Sequence, residues 1–216
     1  GTDLDILEKL CCSINQRQLL DLVVPRSGLV KGEKIEALLK LLTKNKCFSD
    51  LNIPLYVVAV DIEQGKQVLL EEGSVAEAVR ASISIPGIFQ PKRLKGQLLV
   101  DGAVLNRVPV DIAREKGAQI VIAVDLKCDK STKIKPVQSI FDVILTSLDL
   151  LEASSSIDYR TIADVLISPK VAHIGIADFN RAEECIALGE EAAELALPEI
   201  KRLLNREVAA SVLEPV

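Results

Sequence analysis

Residues 98–104, LLVDGAV, put one carboxylate and one glycine at the end of an aliphatic run. The run reads as a buried strand, so Asp101 stands where the chain leaves the core. A carboxylate in that place points into the crevice where chemistry can happen. Gly102 removes the Cβ that would obstruct a sharp turn or the close approach of a second backbone. An Asp-Gly pair is also an ordinary turn, in which the carboxylate bonds its own backbone. Position alone leaves the two readings level. No G-x-S-x-G pattern, which would expose a serine on a strand-to-helix turn, occurs. Ser27 lies in PRSGL, and Ser82 and Ser84 lie in ASISIPG. The single histidine, His173, falls beyond the fifth predicted strand and reads as a surface or loop imidazole.

Other chemistries find little support. Cys11, Cys12, Cys47, Cys128 and Cys185 are odd in number and lack C-x-x-C spacing, which argues against a zinc site and a disulfide framework. We read them as small buried or half-buried hydrophobes in a reducing compartment. Neither G-x-x-x-x-G-K-[ST] nor G-x-G-x-x-G after a strand is present, and no Cys/His cluster suggests a metal. No cofactor and no metal are expected.

The elements that must hold Asp101 are legible in outline. Asp3 can cap a helix with Ile6, Leu7, Leu10, Cys11 and Ile14 at helical spacing. PRSG at 25–28 closes that region, and Ile35, Leu38, Leu39 and Leu42 mark a second helix over 33–43. PLYVVAVDI (54–62) and QVLLEEG (67–73) read as a hairpin turned at Gly65. A helix over 74–84 is stopped by IPGIFQP. The strand 98–104 follows, then Asn106 as a helix cap with Pro109 in the first turn, and Gly117 as the stop. With QIVIAVDL (119–126) this makes a strand-helix-strand unit, whose strands are expected to be parallel. Ligand sites in such sheets lie beyond the carboxyl ends of the strands, where Asp101 sits. A polar connection over 128–136 leads to a helix marked by Ile140, Phe141, Ile144, Leu148 and Leu151, a strand over 164–171, and helices over 181–205 interrupted at Pro198.

The chain has 216 residues, 49% of them hydrophobic but only 3% aromatic, so its interior is built from Leu, Ile, Val and Ala. That composition suits parallel strands covered by helices, an α/β fold in one domain or one domain with an appendage. A net charge of −5 supplies no general attraction to nucleic acid or to anionic lipid surfaces. No apolar run is long enough to cross a bilayer, no secretory leader opens the sequence, and we expect a cytoplasmic protein.

Three segments in order, AVRASISIPGIFQP (78–91), LLVDGAVLNRVPV (98–110) and AREKGAQIVIAVDL (113–126), resemble the second half of the patatin-like phospholipase family, above all its small bacterial members. The likeness runs from about residue 25 to 126, with a weaker echo in SIFDVILTSLDLL and GEEAA. It implies a three-layer α/β fold with a mainly parallel sheet between helices. Residues 1–128 would be the C-terminal part of the hydrolase domain, with 129–216 packing on the same domain. It implies that Asp101, in the D-G-[AG] motif with Gly102 and Ala103, is the catalytic base of a Ser-Asp dyad. No histidine intervenes in that dyad. Ser84, Phe89 and Asn106 are carried over as residues of the acyl pocket, although core packing accounts for Phe89 equally well and helix capping for Asn106. Arg107 stands where the family often has Asn.

The family's nucleophile elbow and Gly-rich oxyanion loop have no counterpart in residues 1–216. Gly1, and the complete lack of Met, make the chain look like the part that follows a nucleophile half. The resemblance therefore implies a serine acyl-ester hydrolase of the phospholipase, lysophospholipase or esterase type. Its partners are a lipid or other acyl-ester substrate and the N-terminal segment. The alternative is a non-catalytic pseudoenzyme or binding module. On this view residues 1–216 alone are inactive and prone to associate as homo-oligomers.

Overall fold

The computed structural model describes residues 3–14, 19, 21, 28–126, 140–153, 159–175 and 178–213. The chain is mixed α/β and divides into two compact units, Gly1–Arg107 with Pro136–Ser155, and Val108–Lys135 with Ser156–Val216. The polar connection over 128–136, Ser27 and Cys128 lie outside the described residues.

In the first unit, Asp3 caps α1 (Leu4–Ser13) through a 2.9 Å bond from the Asp5 N–H. β1 (Gly28–Val30) leads into α2 (Glu33–Leu42), and β2 (Val57–Asp61) and β3 (Lys66–Leu70) form the expected hairpin, with Gly65 at φ 63°. α3 (Val75–Ser82) falls within the expected helix and starts on the Ser74 hydroxyl. The IPGIFQP breaker also holds a strand, β4 (Gly87–Phe89), which runs parallel to β1. β5 (Lys92–Leu94) and β6 (Gln97–Asp101) follow, and α5 (Ile140–Ala153) completes the unit.

The sheet that carries Asp101 has the order β3-β2-β6-β5, and every neighbouring pair in it is antiparallel. This corrects the strand-helix-strand reading of 98–126, because β6 has antiparallel neighbours on both sides. The predicted strand 98–104 also ends earlier, at Asp101, with a 3-10 turn over Gly102–Val104. Every residue of β2 is buried. One face of the sheet packs on α3, where Ala78 and Ala81 let the helix sit close against Val57, Ala59, Leu70 and Leu99. Small side chains are what allow a helix backbone to approach a strand surface.

In the second unit, α4 (Val110–Glu115) precedes β7 (Ile122–Val124), which pairs in parallel with β8 (Val165–Ile167). Val110, Val121 and Ala123 form its core, with Val108, Ala113, Ile162 and Leu166 packed around them. Asp164 accepts from the Val121 N–H at 2.7 Å and from Arg114, which also bonds the Ala118 and Ile162 carbonyls. α6 (Tyr159–Ile162) and α7 (Ala182–Leu213) complete it. α7 runs through Pro198 without a break, which corrects the expected interruption. The missing N–H removes one helical bond, and the turns on either side keep the rest.

Three cysteines differ from expectation: Cys11, Cys12 and Cys47 are exposed, whereas Cys185 is half-buried as expected. Among the described residues no helix is long and apolar enough to cross a membrane.

Candidate active site

Asp101 is the last residue of β6, opposite Ala59 of β2. Its own N–H donates to the Ser84 carbonyl at 3.1 Å, tying the end of β6 to the segment after α3. The side chain is half-buried, and Oδ1 accepts from the Ala103 N–H at 2.8 Å. Oδ2 takes no hydrogen bond among the described residues. One oxygen thus anchors the carboxylate to the turn. Burial pushes the carboxyl above its ordinary value, against the opposing pull of the Ala103 N–H and the Arg107 charge. A carboxylate so raised is a stronger base than one in water.

The reason for Gly102 is space. A Cβ there would lie 2.4 Å from the Val58 carbonyl oxygen and 2.9 Å from its carbon. The turn after Asp101 lies directly against the backbone of β2, so the close-approach reading of Gly102 holds. Ala103 and Val104 finish the 3-10 turn, and the Asn106 N–H donates to the Gly102 carbonyl at 2.9 Å. Asn106 does not cap α4, whose preceding residue is Pro109. Arg107 reaches Asp149 at 2.9 Å.

Ser84 and Phe89 sit around Arg80, which the sequence reading did not single out. Ser84 is 0% exposed, and its hydroxyl donates to the Arg80 carbonyl at 2.9 Å and accepts from Arg80 Nη1 at 2.7 Å. Ser84 therefore meets Asp101 through its backbone, while its hydroxyl is turned to Arg80. The Phe89 ring packs under the guanidinium, with Cζ 5.2 Å from its centroid.

Arg80 is itself 2% exposed. Its remaining bonds run to the carbonyls of Gly32 (3.1 Å), Lys31 (2.7 Å) and Gln90 (3.1 Å), which lock β1, α2, α3 and the β4–β5 link together. Gly32, at φ 82°, leaves the room for it: a Cβ there would overlap the guanidinium at 2.2 Å. The signal for Arg80 was a charged residue four positions from both Ala76 and Ser84, on the face of α3 that the apolar pattern sends inward. His173 lies on the surface of the second unit, 2.9 Å from Glu184. No group of His, Cys, Asp and Glu among the described residues could hold a metal ion.

A family model for the patatin-like phospholipases matches residues 2–114, just over half of the chain. The chain belongs to the patatin-like phospholipase family. Its α/β architecture with parallel strand pairs agrees with that membership. An uncharacterized NTE family protein of Mycobacterium tuberculosis (strain ATCC 25618 / H37Rv) is 28% identical over 203 residues, covering 82% of this chain and 34% of that protein. A second uncharacterized NTE family protein of the same strain is 35% identical over 117 residues, covering 53% of this chain and 32% of its own length. The mouse patatin-like phospholipase domain-containing protein 7 is 32% identical over 112 residues, covering 51% of this chain and 8% of that protein. The chain thus spans about a third of the mycobacterial relatives and a small part of the mouse one. The patatin-like match takes in α1 through most of α4, so Asp101, its turn and Arg80 all lie inside it.

Proposed function

We propose that this chain supplies the general base of a serine hydrolase acting on lipid or other acyl esters, with Asp101 as the base and the serine outside residues 1–216. The observation that carries this reading is the asymmetric anchoring of Asp101: Oδ1 is held by the Ala103 N–H while Oδ2 has no bonding partner among the described residues. Family membership supports the acyl-ester class.

In this reading the serine hydroxyl attacks the acyl carbon as its proton passes to Asp101, giving a tetrahedral intermediate. That proton then goes to the departing alkoxide, which leaves as the alcohol with an acyl-enzyme behind. Water adds to the acyl carbon, again losing its proton to Asp101, and the serine leaves with that proton as the free acid is released. The oxyanion is met by donors that accompany the serine. Gly102, Ala103 and the Ser84 carbonyl position the base. Phe89 and Asn106 complete the candidate pocket set, with Ser84 acting through its main chain.

A second reading has its own observation. The bond from the Ala103 N–H to Asp101 is what an Asp-Gly turn makes for purely structural reasons, as in a non-catalytic binding module. The test uses the full-length protein with the sequence that precedes Gly1. We expect labelling by a fluorophosphonate at a serine there, and a loss of esterase turnover in Asp101→Asn of about 10²- to 10⁴-fold with the fold retained. Full turnover in Asp101→Asn, or no labelling of the parent protein, defeats the hydrolase reading.

A further inference from the structure

Asp101 opens a short run of hydrogen bonds at the end of β6. Its Oδ1 accepts from the Ala103 N–H at 2.8 Å, and the N–H groups of Leu105 and Asn106 both donate to the Gly102 carbonyl, at 3.1 and 2.9 Å. These bonds fold 101–106 into a tight turn, and the charge of Arg107, the next residue, is felt at the carboxylate. Arg107 is held in turn by α5, where its Nη2 donates to Asp149 at 2.9 Å. The two partners differ in exposure, 18% for the Arg107 side chain and 44% for that of Asp149. Water therefore screens Asp149 more than Arg107, and the positive member of the pair is the one that reaches Asp101.

The other charges on the elements packed around Asp101 are engaged elsewhere. On β2, Asp101 faces Ala59 and its turn lies against Val58, while the charge of that strand, Asp61, accepts from the Glu63 and Gln64 N–H groups at 3.0 and 3.3 Å. On α3, Arg80 bonds the carbonyls of Lys31, Gly32 and Gln90 and the Ser84 hydroxyl, and Glu77 acts on Lys40. Among the described residues Arg107 is the charge that acts on Asp101, and it pulls against burial. A guanidinium stays protonated at any pH a protein tolerates, so that pull is constant while the carboxylate titrates.

We propose that Arg107, fixed by Asp149, is a positioning residue for the base, keeping Asp101 in the carboxylate form that accepts a proton from the nucleophile. Burial makes the carboxylate a stronger base, the Arg107 charge keeps it ionised down to a lower pH, and a working base needs both. The purpose of the pair rests on the hydrolase reading of Asp101. Its measurement does not, because the ionisation of Asp101 is readable without substrate.

The test uses the full-length protein, with the sequence that precedes Gly1, in two assays. Carbon-13 NMR of the aspartate carboxyl groups, with the Asp101 signal identified by its loss in Asp101→Asn, gives the titration midpoint. The pH dependence of kcat/KM gives the acid limb of turnover. Arg107→Gln removes the charge and should shift both upward in pH. Arg107→Met, which keeps the apolar stem, takes its place if that variant does not fold. Arg107→Lys restores the charge and should bring both most of the way back, and Arg93→Gln, a cation paired with Glu63, should leave both where they are. An unmoved midpoint in the uncharged Arg107 variant, or an equal shift in Arg107→Lys, overturns the proposal even if Asp101→Asn abolishes turnover. A shifted midpoint in a protein without esterase turnover upholds the action of Arg107 on Asp101 and defeats the hydrolase reading.

Discussion

Gly102→Ala is the sharpest test of the geometry around Asp101. The added Cβ would lie 2.4 Å from the Val58 carbonyl oxygen, whereas real Cβ atoms essentially never come under 3.0 Å, so the turn and β2 must part by at least 0.6 Å. Both sides of the contact are backbone, and no side chain can swing away to relieve it. An opening of that size on a ladder bond of about 2.9 Å carries it to about 3.5 Å, past the useful range. Losing one or two such bonds next to the Ala59–Asp101 pair, at about 1 kcal/mol each plus residual overlap, gives a cost of about 2–3 kcal/mol. For a chain of this size that corresponds to a fall in melting temperature of about 4–12 °C. Urea and thermal unfolding followed by circular dichroism read it directly. Gly189→Ala is the control, because that glycine lies inside α7 with open space at its Cβ position and the change should stabilise by up to about 1 kcal/mol. If Gly102→Ala unfolds within about 0.5 kcal/mol of the parent, the close packing of the turn on β2 is wrong.

Three further outcomes follow from the same contacts. Arg80→Lys keeps the charge but cannot reach Gly32, Lys31, Gln90 and Ser84 together, and should cost about 3 kcal/mol or more in urea unfolding, chiefly from buried carbonyls left unpaired. Asp101→Asn should raise the melting midpoint at pH 7. The folded state holds the Asp101 proton more tightly than the unfolded chain, so the parent loses stability as pH rises from 3.8 through the raised folded value. The advantage of the variant should therefore fade below pH 3.8, and an equal gain at every pH would refute burial as the cause. The Val121 N–H holds Asp164 below its ordinary 3.8, outweighing burial and aided by Arg114, so its contribution is full above 3.8 and lost as pH falls through the lowered value. Asp164→Asn should accordingly flatten the acid limb of the stability curve measured by thermal melts between pH 2 and 6.

Local signals carried far in this protein. Two apolar runs and a turn glycine are enough for the β2–β3 hairpin, because both strands and the turn lie within one short segment. The Pro and Gly of IPGIFQP mark where α3 stops, and the aliphatic run before Asp101 marks β6, although the strand ends at Asp101 and not at 104. Strand direction was another matter. Whether β6 lies beside a parallel or an antiparallel neighbour depends on which distant segment pairs with it, and β2, some forty residues upstream, takes that edge.

The same holds for β1 and β4, short strands hidden in segments that read as breakers, which exist because each supplies the other's hydrogen bonds. Arg80 makes the point most sharply. By type it belongs on a surface, yet its helix turns it inward to where the carbonyls of Lys31, Gly32 and Gln90 converge. Residue order determined the carboxylate, the glycine beside it and the helices and strands that carry them, because those depend on neighbours along the chain. How deeply Asp101 is buried, what Gly102 makes room for, and where a buried cation finds its partners were decided only when remote segments met, since desolvation and hydrogen bonding act on whatever lies nearest in space.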